Sequence, residues 1–524
     1  MDKIDFAVKV PCNNEVCPNS LVPQDVRERK GSFFTPKIWV DLSQKYIADV
    51  LGNNWQNEYY VWDCAAGTGN LLAGLTNKYN TWASTLDKAD VDVMYDRIDN
   101  ELNLLKNHCF QFDFLNDDFD KLPKELQDII NDEKKRKKLL IYINPPYAEG
   151  DARIGKGRKG IHESKTHSKY KNDLGKASSE LFAQFFIRIY REIPGAMLAE
   201  FSKLKILQAP NFEKFRNIFR AKLEKLFLVP ANTFDNVKGV FPIGFFIWNT
   251  FKQQKFECTT ADVFDKKGNF LNRKSIFAYD NSKYINDWLK ENSKHISKNY
   301  IGHLASVGND FQNQNTIFID DVDKKRKKGG RHTMISIENL TVASIYFTVR
   351  KIIPATWFND RDQFLYPNEG WKTDEEFQND CLCYTLFNNN IQSKYGVNHW
   401  IPFTEYQVAA RDKFDSNFMT DFIDGSAGGY GCKEKTKREF SETAKNVFKA
   451  GLEVWKYYHT QPDCNINASL YDIREYFQGR NNEDKMNNKS NDETYNELTG
   501  NLRFSLKALI KKIEPKVYEY GFLL

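Results

Sequence analysis

The sequence predicts an α/β fold built on a doubly wound sheet. Between about residues 31 and 251, short apolar runs alternate with longer amphipathic stretches. This alternation is typical of strands joined by crossover helices. Polar or glycine-rich turns follow several of the apolar runs. Because ligands of such sheets bind beyond the carboxyl ends of the strands, these turns are the expected site.

Seven segments have the length and composition of strands: 59–63, 82–86, 109–112, 139–143, 197–201, 226–229 and 245–248. The fourth of them, Leu-Leu-Ile-Tyr-Ile, is apolar throughout. A run of this kind is typical of a strand that is buried on both faces. The helical patterns between the strands include 38–51, 70–79 and 179–193.

The length of 524 residues predicts two or three domains. We expect an N-terminal extension at 1–30 and a first domain at 31–255, with a basic loop insertion at 148–176. After residue 252 the sequence becomes rich in aromatic residues at irregular spacing, and helical stretches follow. Residues 256–524 are therefore predicted to form a second region of mixed α+β or helical structure.

Composition excludes some classes of protein. The net charge of +5 is small for this length and does not by itself indicate a nucleic-acid partner. Nine cysteines, an odd number, argue against a disulfide framework. The sequence has no secretory signal, and no apolar run reaches the roughly 18 residues of a membrane span. We therefore expect an intracellular, cytoplasmic protein with no membrane partner.

The most informative motif is Asn144-Pro145-Pro146-Tyr147, directly after the apolar strand 139–143. A residue that precedes proline avoids the helical conformation, so the chain leaves the strand as an extended turn. The side-chain oxygen of Asn144 and the carbonyl of Pro145 could accept both protons of a planar amine, while Tyr147 stacks on its ring. The amine of adenine is a poor nucleophile because its lone pair is delocalised. Two such acceptors would draw that lone pair toward a methyl donor.

A glycine turn follows the first predicted strand, with the sequence Asp63-Cys64-Ala65-Ala66-Gly67-Thr68-Gly69. The glycines permit the close approach of a ligand, and a helix expected from Asn70 would offer its amides to a carboxylate. By itself such a turn fits many nucleotide-type ligands. Asp87 comes 24 residues after Asp63, where an acid can hold ribose hydroxyls. The alternative is that Asp87 is a helix N-cap.

Two further segments have ordinary structural explanations. Asp113 and Phe114 end the third predicted strand, where the acid could accept a proton from a cofactor amine and the ring could flank it. The alternative is that Asp113 is a turn residue. Upstream, Thr35 and Pro36 have the pattern of a helix start, with threonine as N-cap and proline as the first helical residue.

The order of these motifs resembles that of the gamma class of N6-adenine DNA methyltransferases from restriction–modification systems. The order is Phe-Thr-Pro, Asp-x-Ala-x-Gly-x-Gly, Asp-Phe-Leu and Asn-Pro-Pro-Tyr, and the resemblance covers roughly residues 31–250. It implies a Rossmann-like methyltransferase sheet of class I, with S-adenosylmethionine as cofactor. It also implies double-stranded DNA with a flipped adenine as substrate, and a separately encoded restriction endonuclease as a further partner.

The resemblance assigns roles to individual positions. Cofactor contacts are implied for Phe34, Thr35, Pro36, Asp63, Ala65, Gly67, Thr68, Gly69, Asp87, Asp113 and Phe114. Catalytic roles are implied for Asn144, Pro145, Pro146, Tyr147 and Phe241. Phe241 would be a second aromatic against the target base, and the alternative is plain core packing before a strand.

DNA contacts are expected from the basic loop that follows the Asn-Pro-Pro-Tyr turn. Its cations include Arg153, Lys156, Arg158 and Lys159, which could close over a DNA backbone. The alternative is a solvated surface insertion. By family analogy alone, residues 256–524 are expected to serve target recognition and DNA clamping.

Three other functions stay open from the sequence. The first is a methyltransferase that acts on RNA or on a protein glutamine, since Asn-Pro-Pro-Tyr also serves methylation of the glutamine amide, another planar amine. A DNA-binding subunit without activity is a second alternative, which the intact motifs argue against. A cytosine amine is the third, although enzymes of that kind tend to have Ser where Asn144 stands.

Overall fold

The computed structural model describes residues 34–100, 102–148, 162–234, 237, 239–324, 331–426 and 437–524. It divides into two compact units, and the division falls after Asp280. Among these described residues, no helix is both long enough and apolar enough to span a membrane.

The first unit contains a sheet of nine strands in the order β3-β2-β1-β4-β5-β7-β6-β8-β9. The strands β1 to β5 run parallel to one another, whereas β7 is antiparallel to both β5 and β6. Their bounds are β1 Tyr60–Asp63, β2 Thr81–Thr85, β3 Cys109–Gln111, β4 Leu139–Ile143, β5 Met197–Lys203, β6 Ala221–Pro230, β7 Pro242–Gln253, β8 Cys258–Phe264 and β9 Phe270–Phe277. The predicted doubly wound α/β sheet is confirmed.

Helices connect these strands. They are α1 Lys37–Leu51, α2 Trp55–Glu58, α3 Lys88–Ile98, α4 Lys124–Asn131, α5 Glu133–Arg136, α6 Lys165–Leu174, α7 Leu181–Glu192, α8 Lys205–Gln208 and α9 Glu213–Ile218. Helix α1 buries Trp39, Val40, Tyr46 and Ile47, a spacing that places them on one face. Every residue of β4 is fully buried, which explains why its sequence is apolar without alternation.

Two predictions about the first unit differ from the structure. The segment 70–79 is not an α-helix, because Gly74 adopts a positive φ of 86° and leaves only short 3₁₀ turns, Asn70–Leu72 and Lys78–Asn80. The sheet also continues beyond residue 255, where we expected the first domain to end. Strand β8 pairs in parallel with β6, and Tyr46 donates a hydrogen bond to Asp262 at 2.5 Å.

The second unit combines helices with a small antiparallel sheet of order β11-β10-β12. The strands are β10 Gly302–Ser306, β11 Phe318–Asp320 and β12 Arg331–Ile335. The helices are α10 Ile285–Glu291, α11 Leu340–Lys351, α12 Glu375–Leu386, α13 Glu405–Val408, α14 Phe418–Ile423, α15 Glu442–His459, α16 Leu470–Gln478 and α17 Glu493–Glu519. This agrees with the mixed α+β and helical structure predicted for the region.

Two helical glycines of this unit give a matched test of its packing. A methyl group at Gly451 would overlap the ring of Phe387, which is buried and packs against Trp455. We expect Gly451→Ala to lower the free energy of unfolding by about 1–3 kcal/mol, the usual cost of overpacking. Gly500, on α17, has open space around its Cα, so Gly500→Ala should raise stability by up to about 1 kcal/mol. Urea denaturation of both variants measures these changes. Equal changes in their free energies of unfolding would contradict the difference in packing at the two glycines.

Candidate active site

Strands β1 and β4 are parallel neighbours, with Trp62 opposite Ile141. On their other sides, β1 pairs with β2 and β4 pairs with β5, so the strand order reverses between them. Ligands of doubly wound sheets bind in the crevice at such a switch point. The glycine turn 63–69 leaves β1 and the turn 144–147 leaves β4, at the carboxyl ends of two adjacent strands. The structure therefore brings the two strongest sequence motifs to one crevice.

The reversed strand β7 brings Phe241 to the same edge of the sheet. The start of β7 pairs with the end of β5, where Ile243 is opposite Lys203. Because β7 is antiparallel, its first residues lie where the parallel strands end. Phe241 immediately precedes β7, and its ring is half-buried. Its carbonyl accepts a hydrogen bond from the amide of Ala231 at 2.8 Å.

The side chain of Asn144 is held by hydrogen bonds at both ends of its amide. Its Nδ2 donates to the hydroxyl of Thr35 at 2.8 Å, and its Oδ1 accepts from the hydroxyl of Tyr147 at 2.5 Å. Thr35 is buried, and 109 residues separate it from Asn144 along the chain. Together these contacts determine which way the amide points.

The interpretation of Thr35 as a helix N-cap is wrong. Helix α1 begins at Lys37, its N-cap is Pro36, and no side chain caps it. The threonine hydroxyl instead accepts a hydrogen bond from the side chain of Asn144. Phe34 and Pro36, on either side, are half-buried. The Phe-Thr-Pro segment is thus connected directly to the Asn-Pro-Pro-Tyr turn.

Tyr147 is almost completely buried, with 7% of its surface exposed. Burial, reinforced by the nearby carboxyl of Glu200, raises the pKa of its hydroxyl well above the ordinary value, so the group stays a donor. In this position the ring supports Asn144. It can stack on a base only if it moves outward. Of the two prolines in the turn, Pro145 is buried and Pro146 is half-buried.

The far end of the turn is fixed by buried charges that the sequence analysis missed. Lys203 donates to the carbonyl of Tyr147 at 3.2 Å. Glu180, fully buried, pairs with Lys205 at 2.6 Å and with Lys203 at 3.5 Å. Glu200 lies on β5 opposite Ile143, and burial raises its pKa to about 8. An acid inside the apolar run of β5 was the available signal, since such residues are rarely buried without a reason.

The glycine turn adopts the geometry that its sequence predicts. Gly67 and Gly69 have positive φ angles of 53° and 83°, which favour glycine. A Cβ atom at Gly69 would lie 2.9 Å from the side chain of Leu102. The helix expected at Asn70 is instead a single 3₁₀ turn, so a helix N-terminus is not available for a ligand carboxylate.

Asp63 and Thr68 are buried polar side chains. Among the described residues, Asp63 has no basic partner and the Thr68 hydroxyl has no hydrogen-bond partner. Asp63 is 1% exposed and accepts from the amide of Ala65 at 3.0 Å. No basic side chain among the described residues pairs with it, and burial raises its pKa to about 8. The hydroxyl of Thr68, also buried, has no hydrogen-bond partner within the described structure. Such groups normally have partners, so this donor set fits a cofactor with cationic and polar groups.

The remaining predicted cofactor residues differ in their surroundings. Asp87 is half-buried at the N-cap position of α3, although its side chain makes no capping hydrogen bond. Both carboxylate oxygens of Asp113 accept hydrogen bonds within its own turn, from the Leu115 amide at 3.0 Å and the Asn116 side chain at 2.8 Å. The alternative of a turn residue therefore describes Asp113 in this structure.

Phe114 is 3% exposed and stacks on Phe185, with ring centroids 5.0 Å apart. The guanidinium of Arg188 binds the carbonyls of Phe114 and Asp117 and holds this turn. A role for Phe114 beside a cofactor ring stays a prediction. The predicted DNA contacts Arg153, Lys156, Arg158 and Lys159 lie outside the described residues.

Comparison with known proteins gives remote structural similarities. No protein-family model and no curated protein matches the chain. It is similar to the methyltransferase subunit of a type I restriction–modification system from Streptococcus thermophilus, at 16% identity and a TM-score of 0.32, over 47% of this chain and 50% of that one. The match thus spans about half the length of that subunit.

Two further structures are similar at the same level. One is a protein from Listeria monocytogenes assigned to the class I S-adenosylmethionine-dependent methyltransferases, at 13% identity and a TM-score of 0.31, over 44% of this chain and 65% of that one. The other is the type ISP restriction–modification enzyme LlaBIII bound to DNA, at 13% identity and a TM-score of 0.33, over 54% and 24%. At these values the function has to be argued from the residues themselves.

The raised pKa of Asp63 predicts a measurable pH dependence of stability. Between about pH 4 and pH 8 the folded protein keeps this proton while the unfolded chain releases it. The free energy of unfolding should therefore fall as pH rises through this window, by roughly 1.4 kcal/mol per pH unit for one such group. Asp63→Asn removes that contribution. The free energy of unfolding, measured by urea denaturation at pH 5, 6 and 7, should fall less steeply with pH in the variant than in the wild type. Equal slopes would show that Asp63 does not hold a proton in the folded state.

Proposed function

We propose that this chain is an S-adenosylmethionine-dependent methyltransferase that modifies N6 of a flipped adenine in double-stranded DNA. The observation that carries the proposal is the neighbouring position of β1 and β4 at the switch point, which places the glycine turn and the Asn-Pro-Pro-Tyr turn at one crevice. Each turn alone fits several ligands. Side by side, they supply a cofactor site and an amine-binding site at the ends of adjacent strands.

The cofactor, when bound, supplies a methyl group on a sulfonium that is already activated. Asp63 offers a buried carboxyl to its cationic part, and Thr68 offers a hydroxyl. The open space beside Gly67 allows a ligand to approach the backbone closely. The work left to the protein is to hold the acceptor nitrogen in line and to exclude water.

Asn144 and Pro145 provide the acceptors for the substrate amine. As the nitrogen attacks the methyl carbon, the carbon–sulfur bond breaks and its electron pair stays on sulfur. One amine proton then leaves to solvent, with no covalent intermediate on the enzyme. Hydrogen bonds from the amine to Asn144 Oδ1 and to the Pro145 carbonyl strengthen as positive charge develops on nitrogen. Interactions that strengthen in the transition state are the ones that raise kcat.

An adenine inside a duplex cannot reach this crevice, so it must first rotate out of the helix. Extrusion costs a few kcal/mol, and stacking on one aromatic ring returns about 1–3 kcal/mol. We assign the contact with the base to Phe241, which is half-buried at the same edge of the sheet. Tyr147 would join it after moving from its buried position.

RNA and protein glutamine are the alternative substrates that the same crevice could accept. Both present a planar amine, and nothing in the Asn-Pro-Pro-Tyr turn separates them from adenine. Incubation with labelled S-adenosylmethionine and duplex DNA, RNA or protein distinguishes the three. Direct reading of modified adenines in DNA from cells with and without the protein identifies the methylated base.

Asn144→Ala tests the catalytic assignment. We expect methyl transfer to fall by roughly 100- to 1,000-fold, as when one preorganised transition-state contact is removed. Cofactor affinity should change little, because the variant leaves the 63–69 turn intact. Single-turnover transfer and equilibrium cofactor binding measure the two effects separately. Near-normal turnover in this variant would refute the proposal.

Thr35→Val tests whether Thr35 orients the amide of Asn144. The valine keeps the shape of the threonine but removes the acceptor of the 2.8 Å hydrogen bond. Loss of about 1 kcal/mol should lower kcat by roughly 5- to 10-fold, with the KM for DNA unchanged, while Thr35→Ser restores activity. In the Asn144→Ala background the valine should have no further effect. A higher KM for cofactor with normal kcat would show that Thr35 acts on the cofactor alone.

A further inference from the structure

Helices α15 and α17 of the second unit border an open groove of about 330 Å³. Its lining on α15 includes Thr443, Asn446, Ala450 and Glu453, and α17 repeats the same spacing from Leu498 to Ala508. Most of the surface that lines the groove is apolar. Residues three or four apart lie on one side of a helix, so each helix contributes one row to the groove. A trough between two such rows has the shape that receives a third helix.

The two helices run in opposite directions. Near one end, Tyr457 of α15 donates a hydrogen bond to Asp492, the N-cap of α17, at 2.9 Å. At the other end, Asp380 accepts hydrogen bonds from the amide of Ser441, the N-cap of α15, at 3.2 Å and from Lys512 of α17 at 3.1 Å. The start of α15 therefore lies beside the second half of α17.

An exposed aromatic ring belongs to the lining of this groove. Phe504 is 77% exposed, although phenylalanine is usually buried. Aromatic residues are enriched at interfaces between proteins, where they contribute a large part of the binding energy. A groove with an apolar lining and an exposed ring thus favours a protein as its occupant.

Positive charge flanks the groove. Lys507 and Lys511 follow Phe504 at i+3 and i+7, so the three residues share one face of α17. Lys449 belongs to the lining on α15. None of these three lysines forms an ion pair with another described residue, whereas Lys445, Lys456, Lys512 and Lys516 of the same helices do. Acidic groups on the occupant would therefore neutralise charge that the protein itself leaves unpaired.

We infer that this groove binds an acidic amphipathic α-helix supplied by a partner protein. Apolar side chains of that helix at i, i+3, i+4 and i+7 would lie along the groove and contact Phe504. Its acidic side chains would face Lys449, Lys507 and Lys511. This binding would be independent of the proposed methyl transfer, because none of the residues of the crevice takes part in it.

Two other occupants fit the groove less well. A second copy of the chain bound face to face would bring Lys507 and Lys511 of both copies together, and like charges at an interface oppose association. A nucleic-acid backbone would match the lysines, but it offers little apolar surface to the lining, and Glu453 would repel it.

Two synthetic peptides and the full-length protein test the charge preference. Each peptide has about 16 residues, enough to cover the roughly 15 Å of the lining rows, and a side-chain cross-link keeps it helical. Both have leucines at i, i+3, i+4 and i+7, and the remaining exposed positions are Glu in one peptide and Lys in the other. Fluorescence anisotropy at low salt should show that the acidic peptide binds at least about 10-fold more tightly than the basic one.

Two variants separate the apolar contact from the charges. Phe504→Ala should weaken binding of the acidic peptide by about 10-fold or more, as expected for an aromatic anchor, without changing its salt dependence. Lys507→Glu with Lys511→Glu should reverse the preference, so that the basic peptide binds more tightly than the acidic one. All three side chains are exposed, so these substitutions should leave the fold intact, which circular dichroism checks.

Matched controls come from the same unit. Lys485 and Lys489 are exposed and also four residues apart, so Lys485→Glu with Lys489→Glu makes the same change in net charge away from the groove lining. Tyr406, 95% exposed, controls for the loss of an exposed ring through Tyr406→Ala. Both controls should bind the two peptides as the wild type does.

The possible outcomes are distinct. Loss of binding in Phe504→Ala together with the reversed preference in the charge variant supports the acidic helix. If neither peptide binds saturably, or if the Phe504 and lysine variants bind as the wild type does, the inference is wrong. It is also wrong if neither peptide binds and Phe504→Ala dissociates a dimer in sedimentation, which assigns the face to a second copy. Loss of duplex DNA binding in the same variants, without peptide binding, would assign the face to nucleic acid instead.

Discussion

The parallel pairing of β1 with β4 is the constraint on which the site depends. Because the strand order reverses there, the crossover segments leave to opposite sides and an open crevice remains at the carboxyl edge. Two turns that are distant in the sequence, 63–69 and 144–147, become neighbours through the pairing of the strands that they follow. The reversed strand β7 adds Phe241 at the same edge.

The amide of Asn144 is fixed by its neighbours rather than by its own backbone. Thr35 fixes one end of the side chain and Tyr147 the other. Behind the turn, the pair of Glu180 with Lys205 holds the neighbouring strand end in place. An extended turn after a strand is otherwise mobile, so preorganisation of the amine-binding group comes from these supports.

Local pattern predicted most of the sheet, because strands in a two-sided sheet are short apolar runs with clear ends. Strand β4 has the predicted bounds, whereas the helix predicted at 70–79 failed because one glycine with positive φ is enough to end it. The hydrogen bond between Thr35 and Asn144 could not be foreseen, since it joins residues that only the fold brings together. For the same reason, nothing in the local pattern at Phe114 revealed that its ring is covered by Phe185.

The two buried acids also change the electrostatic character of the folded molecule. The formal net charge of +5 counts every carboxylate as ionised. Asp63 and Glu200, with pKa values raised to about 8, hold their protons near neutrality. Near neutrality these two groups alone make the folded state more positive than the unfolded chain by roughly two elementary charges. The contribution of these two acids is to raise the isoelectric point of the folded state and to add to its long-range attraction toward a polyanion.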